Sequence, residues 1–214
     1  ISIMPEAQAR LWPALADIPE AFVLYGGTAL ALRLGHRESV DFDFFSADQF
    51  VPTDLLVELA WLGNVTINEA ASNTLVVTTE GGVKLAFFGR MTLQSVAEPS
   101  IVAENGIVLA SVFDLAGTKA KAILDRSEWR DYVDIATLLR TGLTLPEIIA
   151  YATTIFEPVF AFPAAVFLRS LAWFGEGTAP DLSDEMKREL EQAVVAAAHE
   201  DIPVVSPYST SLLP

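Results

Sequence analysis

Residues 22–45 read FVLYGGTALALRLGHRESVDFDFF, and this stretch decides the fold of the chain. The apolar run Phe22–Tyr25 has the length of a buried strand and stops at a pair of glycines. Thr28 stands where a residue that caps a helix is expected, and the helix then runs to about Leu34. Gly35 ends it, as glycines commonly do. The pattern therefore predicts a strand, a tight turn and a helix in succession.

A second strand, Val40–Phe45, carries two carboxylates in an otherwise apolar sequence. Residues two apart in a strand point to the same face, so Asp41 and Asp43 are predicted to project together. Two like charges held that close require a cation or a shared proton. A solvated strand end is the simpler alternative. The apolar neighbours favour a site instead, because an unused carboxylate pair in such a strand is costly.

The pair Gly26–Gly27 precedes the predicted helix, and a glycine turn at a helix N-terminus favours an anion. Taken alone, it would be an ordinary strand-to-helix turn. Together with Asp41 and Asp43 it predicts a phosphate beside a metal-binding carboxylate pair, the arrangement used in phosphoryl and nucleotidyl transfer. We expect Mg²⁺ as the cofactor and an NTP as the substrate. The backbone donors of the two glycines and the hydroxyl of Thr28 would then bind the phosphates.

His36 and Arg37 lie at the end of the predicted helix, where cations are favourable in any protein. Arg37 is a candidate to hold either Asp41 or a phosphate, whereas His36 is expected to be structural. The chain contains only two histidines, which argues against a histidine-based metal or proton-transfer centre.

The segments GGTALAL, GHRES and DFDFF together resemble the first motif of the nucleotidyltransferase AbiEii toxin family, part of the polymerase-β-like nucleotidyltransferase superfamily. A later segment resembles the second signature of that family, at Asp114-Leu115-Ala116, Lys119, Ala122, Arg126, Arg130-Asp131 and Asp134. The resemblance covers roughly residues 20 to 140. It implies that Asp41 and Asp43 bind the metal and are catalytic. It also implies a toxin that is paired with a separate antitoxin protein.

Lys119 and Arg126 are seven residues apart, so they share a face if one helix runs through both. Two interpretations are open. The cations could bind the triphosphate of a nucleotide, or they could pair with Asp131 and Asp134 in a structural network. The sequence does not separate these interpretations for Lys119 and favours the network for Arg126.

The predicted strand VKLAFF departs from the family pattern. In the superfamily a third carboxylate usually comes from a neighbouring strand. In this family the sequence pattern of that strand resembles Lys-Leu-Asp or Lys-Leu-Glu. Lys84-Leu85 match, but Ala86 and Phe88 stand where acids are expected. Two carboxylates neutralise two Mg²⁺ ions poorly, although one ion held mainly by waters and phosphates is compatible with them. We therefore expect weak or absent transfer, unless another acid completes the set, namely Glu80 or Glu69.

Composition narrows the range of partners. The chain of 214 residues is 52% hydrophobic and carries a formal net charge of −15. Its size permits a real core, and its charge argues against broad attraction to nucleic acid or to an anionic membrane. An RNA acceptor such as tRNA would need a local basic patch.

The absence of cysteine excludes disulfides and thiolate zinc sites. With no visible secretory signal and no apolar run of membrane-spanning length, a cytoplasmic location is expected.

Short apolar strands alternate with helices in the first half of the chain, and helical periodicity dominates from about Ser111. We predict an α/β (α+β) fold: a nucleotidyltransferase-like core with a small mixed sheet and flanking helices, residues 1–110, followed by a helical C-terminal region, residues 111–214. A tight turn at Gly81-Gly82 predicts a hairpin, and Ile107–Ser111 is predicted as a further edge strand. Ser183 is expected to cap the last helix.

Two functional hypotheses follow. The first is an enzyme that transfers a nucleoside monophosphate from an NTP to a hydroxyl of RNA or protein, with Lys119 steadying the triphosphate. The second is a catalytically degenerate relative that binds a nucleotide or a partner protein without chemistry, and Ala86 and Phe88 are its main support.

Overall fold

The computed structural model describes residues 3–212, which form a seven-stranded mixed sheet and eight α-helices. The strands are β1 Val23–Tyr25, β2 Asp41–Phe45, β3 Val65–Ala71, β4 Thr74–Thr79, β5 Lys84–Phe88, β6 Ser100–Ile101 and β7 Val108–Leu109. The α-helices are α1 Glu6–Leu11, α2 Gly26–Leu34, α3 Pro52–Glu58, α4 Val112–Asp125, α5 Trp129–Arg140, α6 Leu145–Phe156, α7 Ala164–Leu171 and α8 Asp184–Ala197. The predicted fold class, a mixed sheet with helices followed by a helical region, is confirmed.

The described residues fall into two compact units. The first contains the residues up to Leu93, Glu98–Ser111 and the residues from Ser209 onward. The second contains Gln94–Ala97 and Val112–Tyr208. The change from sheet to helices thus falls between Ser111 and Val112. Two short segments, Gln94–Ala97 and the residues from Ser209, belong to the opposite unit from the one that the predicted division assigns to them.

The sheet of the first unit has the strand order β3-β4-β5-β2-β1-β7-β6. Strand β2 therefore lies in the middle, antiparallel to β1 and parallel to β5. One face of β2 belongs to the core, where Phe42 and Phe44 are fully buried and Phe44 stacks on Phe87 at 5.2 Å between ring centroids. The central position of β2 places its other face, which carries Asp41 and Asp43, in the middle of the sheet.

The predicted turn chemistry is largely confirmed. Gly35 ends α2 with a φ of 64°, the left-handed conformation that glycine adopts without strain. Strands β4 and β5 form the predicted antiparallel hairpin, with Gly82 at a φ of 77° in its turn. The hydroxyl of Ser183 accepts a hydrogen bond from the backbone N–H of Met186 and so caps α8.

Two predicted elements differ from the structure. The apolar spacing of residues 52–62 predicts one helix, from Pro52 to Leu62, with Thr53 as its cap. In the structure the helix ends at Glu58 and continues as a 3₁₀ turn, and Val51 is its N-cap because Pro52 is the first helical residue. The strand at Ile107–Ser111 is shorter, Val108–Leu109, and it is not an edge, since it pairs with both β1 and β6.

The second unit consists mainly of α4 to α8. A capping box starts α6, with Thr144 accepting from the N–H of Glu147 while the Glu147 carboxylate accepts from the N–H of Thr144. No helix within residues 3–212 is both long enough and apolar enough to cross a membrane.

Helices α4 and α6 approach closely at Gly117. A Cβ atom placed there would lie 2.6 Å from Cδ1 of Ile155 and 2.9 Å from the backbone nitrogen of Ala152. We expect Gly117→Ala to destabilise the protein by about 1–3 kcal/mol, because the two helices must move apart. Urea unfolding followed by circular dichroism measures this. Gly81→Ala is the matched control, because its Cβ would meet nothing closer than 3.8 Å. Equal stability of the two variants would contradict the prediction.

Candidate nucleotide-binding site

The carboxylates of β2 lie on one face of the sheet. Phe42 and Phe44 are fully buried on the opposite face, whereas Asp41 and Asp43 are half-buried. This is the alternation that the sequence predicts from the two-residue period of a strand. The two carboxylates therefore project together from the centre of the sheet.

Asp43 lies directly against the glycine turn. Helix α2 begins at Gly26, which has a φ of +72°, and a Cβ atom placed there would lie 2.2 Å from Oδ2 of Asp43. A side chain at this position would displace the Asp43 carboxylate, and few residues other than glycine adopt the conformation. The glycine thus has two roles: it permits the turn, and it lets the Asp43 carboxylate approach the backbone where α2 starts.

The guanidinium of Arg37 lies at the same turn. A Cβ atom on Gly27 would be 2.6 Å from Nη2 of Arg37 and 3.2 Å from Oγ of Ser39. Nη1 of Arg37 donates to the backbone oxygen of Glu38 at 2.9 Å, which helps to orient the group. The first turn of α2 therefore has a carboxylate beside its first residue and a cation beside its second. Both roles predicted for Arg37, contact with Asp41 or with a phosphate, stay predictions.

Thr28 is part of the scaffold beneath the turn. Its side chain is fully buried, and its hydroxyl accepts from Nε2 of Gln8 at 3.4 Å, lies 2.9 Å from Oγ of Ser39 and donates to the backbone oxygen of Asp41. The prediction that Thr28 caps α2 is wrong. The helix starts at Gly26, with Tyr25 as the N-cap and no side-chain capping bond. The phosphate contact predicted for this hydroxyl stays a prediction.

Ala86 is the register partner of Asp43 in the parallel pair of β2 and β5. Its side chain is therefore next to Asp43 on the same face, at the position predicted to lack the third acid. Neither alternative acid lies on a strand next to β2. Glu69 is on β3, at the edge of the sheet, and exposed Glu80 follows β4 and accepts from Nδ2 of Asn64.

A metal ion at this face would have two carboxylates to bind it. Among residues 3–212, no group of three or more histidine, aspartate or glutamate side chains is arranged to hold a metal ion. Asp41 and Asp43 offer hard oxygen donors, and Mg²⁺ commonly binds through one or two carboxylates and completes its shell with water and substrate phosphates. The donor set therefore suits a single Mg²⁺ ion.

Lys119 and Arg126 belong to the second unit and form the ion-pair network that the sequence offers as one alternative. Nζ of Lys119 lies 2.8 Å from Oδ1 of Asp131 and 2.6 Å from Oδ2 of Asp134. Nε of Arg126 lies 2.8 Å from Oδ2 of Asp131. Helix α4 ends at Asp125, so Arg126 follows it directly and reaches the same carboxylate as Lys119. Nucleotide binding by either cation stays a prediction.

Lys84 is a residue of this face that the sequence alone does not reveal. This lysine is the register partner of Asp41, one position along β5 from the site of the missing acid. Alternation within KLAFF places Lys84 and Ala86 on one face, but nothing in the sequence says which strand lies beside β2. The pairing of β5 with β2 places Lys84 beside Asp41.

Comparison with solved structures identifies the fold. The structure of a protein from H. pylori described as a "putative nucleotidyltransferase" superposes with a TM-score of 0.56 at 17% identity, covering 89% of this chain and 91% of that one. The nucleotidyltransferase toxin MenT4 from Mycobacterium tuberculosis H37Rv gives a TM-score of 0.47 at 17% identity, covering 89% and 90% of the two chains. The first match shows that the chain has a nucleotidyltransferase fold.

A match between the sequence and a protein-family model identifies the family. The model of the nucleotidyl transferase AbiEii toxin family, described as a type IV toxin–antitoxin system, matches residues 11–205. The chain belongs to this family, which confirms the resemblance seen in its motifs. An uncharacterised protein from Aquifex aeolicus (strain VF5) is 34% identical over 121 residues, which cover 56% of this chain and 58% of that protein.

Proposed function

We propose that this chain is a Mg²⁺-dependent nucleotidyltransferase that moves a nucleoside monophosphate from an NTP to a hydroxyl of RNA or protein. The observation that carries the proposal is the position of Asp43: its carboxylate lies against Gly26 at the start of α2, on the same face as Asp41. A turn that suits an anion therefore lies next to a pair of carboxylates that suits a cation.

Each residue of the turn has a proposed task. The backbone N–H groups of Gly26 and Gly27 donate to a phosphate, and the guanidinium of Arg37 beside Gly27 neutralises part of its charge. Asp41 and Asp43 hold Mg²⁺. When bound, the ion supplies Lewis-acid stabilisation of the charge that develops on the phosphoryl oxygens. The oxygen of the acceptor hydroxyl forms a phosphodiester bond to the α-phosphorus, the bond from that phosphorus to pyrophosphate breaks, and the hydroxyl proton passes to water.

The acceptor and the biological setting are also proposals. Membership of a toxin family supports a role as the toxin of a toxin–antitoxin pair, with an antitoxin encoded separately. An NTP substrate suits a cytoplasmic reaction. tRNA is a candidate acceptor, although the net charge of −15 opposes a polyanionic partner, so a protein hydroxyl remains the alternative acceptor.

The acceptor can be identified with NTPs labelled at the α-phosphate. The wild-type protein is incubated with each of the four NTPs in a cell extract, and the labelled product is treated with ribonuclease or with protease. Label that ribonuclease releases identifies RNA as the acceptor, and label that only protease releases identifies protein. The same experiment is repeated with the Asp43→Asn variant. Label that is incorporated with the wild-type protein but not with this variant comes from the activity of this protein.

Ala86 favours a second candidate function, a relative that binds nucleotide with little or no chemistry. Its side chain takes the place beside Asp43 where an acid would help to hold a second metal ion. Nucleotide binding without incorporation of label in any extract would support this candidate over the transferase.

The second candidate leads to a test by gain of function. Ala86→Asp should raise Mg²⁺ affinity by about tenfold and should increase transfer from a low wild-type rate, because a third carboxylate would complete the donor set. Ala86→Asn is the control, since it adds similar volume without charge at this buried position. Mg²⁺ titration by calorimetry and an NTP transfer assay measure the two effects. Rapid transfer by the wild-type protein, or equal Mg²⁺ affinity of the two variants, would contradict the proposed effect of the missing acid.

A further inference from the structure

The carboxylate face of the sheet also carries a lysine. Asp41, Lys84 and Thr78 are successive register partners across β2, β5 and β4. Register partners on adjacent strands project from the same face as near neighbours. Lys84 therefore lies beside Asp41, one strand away, just as Ala86 lies beside Asp43.

The side chain of Lys84 is exposed, and it forms no ion pair or hydrogen bond with any residue in the described range 3–212. The other three lysines of the chain all bond to protein oxygens. Lys119 pairs with two aspartates, Lys121 pairs with Asp125, and Lys187 donates to the backbone oxygen of Pro180. The ammonium of Lys84 is thus available to a ligand, and it does not need to give up a partner to bind one.

The charges of the side chains on this face indicate which kind of ligand Lys84 would bind. A site with three carboxylates suits two metal cations, whereas this face has two carboxylates and an exposed lysine on the strand beside them. A compact, strongly hydrated charge on a flexible stem is well suited to phosphate oxygens. We propose that Lys84 binds the polyphosphate of the NTP and supplies cationic charge that a second metal ion would supply in a three-carboxylate site. The inference rests on the proposed function, since it concerns the same site.

The test measures binding of inorganic tripolyphosphate, of an NTP and of the matching NMP by calorimetry in Mg²⁺ at constant ionic strength. Lys84→Met keeps the length of the stem and removes the charge. It should weaken binding of tripolyphosphate and NTP by about tenfold and change NMP binding by less than about twofold. Lys84→Arg should restore most of the affinity. Lys187→Met removes the same charge from the second unit and should bind like the wild type.

The outcomes separate this inference from the proposed function. Wild-type protein that does not bind tripolyphosphate, or Lys84→Met that binds it as tightly as the wild type, would overturn the role of Lys84. An equal loss of NMP affinity would also overturn it, because the contact would not be to the polyphosphate. Binding of tripolyphosphate that depends on Lys84, in a protein that transfers no nucleotide to any acceptor, would overturn the transferase function and leave the Lys84 contact standing.

Discussion

Replacing Asp43 with asparagine should abolish Mg²⁺-dependent NTP binding and lower nucleotidyl transfer by about 10²–10³-fold. Asparagine has nearly the shape of aspartate, so it keeps the contact with Gly26, where the native Oδ2 lies 2.2 Å from the position of a Cβ. The change therefore removes the charge and little else. Asp41 alone would then have to hold the metal beside a neutral amide.

Two measurements make this prediction specific. NTP affinity is determined with Mg²⁺ and with EDTA, and thermal unfolding checks that the fold is intact. Asp17→Asn is the matched control, because it removes the same charge from an exposed position outside the sheet. An Asp43→Asn protein that binds NTP with unchanged affinity and unchanged Mg²⁺ dependence would show that this carboxylate is not part of the site.

The largest effect on stability is expected for Lys119→Met. Asp131 and Asp134 are completely buried, and Lys119 lies within 2.8 Å of a carboxylate oxygen of each. Methionine preserves much of the side-chain volume but leaves Asp134 without this cation, while Arg126 still reaches Asp131. Removing one partner of a buried ion pair typically costs about 3–5 kcal/mol, because the other charge stays buried without compensation.

Urea unfolding compares this variant with Lys121→Met. Lys121 pairs with Asp125 on the same helix, but the Asp125 side chain is 57% exposed, so the loss should be below about 1 kcal/mol. Equal losses for the two variants would contradict the structural importance of the Lys119 network. Transfer activity of Lys119→Met can be interpreted only at temperatures where the variant is folded, because Lys119 is also a predicted nucleotide ligand.

The central features of the site could be predicted from the sequence because they depend on local geometry. A strand has a period of two residues, so DFDFF alone places Asp41 and Asp43 together and opposite the buried Phe42 and Phe44. The departure at Ala86 was also visible, since the motif around it is short and contiguous. The contact between Asp43 and Gly26 follows from the antiparallel pairing of β1 with β2, whose register sets Tyr25 opposite Asp43.

Other features depend on contacts that no local pattern contains. Thr28 has the chemistry of a helix cap, but the helix begins two residues earlier, and the hydroxyl instead joins Gln8, Ser39 and the backbone of Asp41. Lys84 acquires a neighbour in Asp41 only when β5 pairs in parallel with β2. Parallel pairing connects residues that are distant in sequence, and a single sequence does not specify which strands will meet.

The most direct test of the account compares NTP labelled at the α-phosphate with NTP labelled at the γ-phosphate. Nucleotidyl transfer at Asp41 and Asp43 predicts that α-label becomes attached to an RNA or protein acceptor, that γ-label leaves as pyrophosphate, and that both events stop in Asp43→Asn. Attachment of γ-label to the acceptor would identify phosphoryl transfer instead. Absence of both labels from every acceptor, or incorporation that is unchanged in Asp43→Asn, would contradict the account.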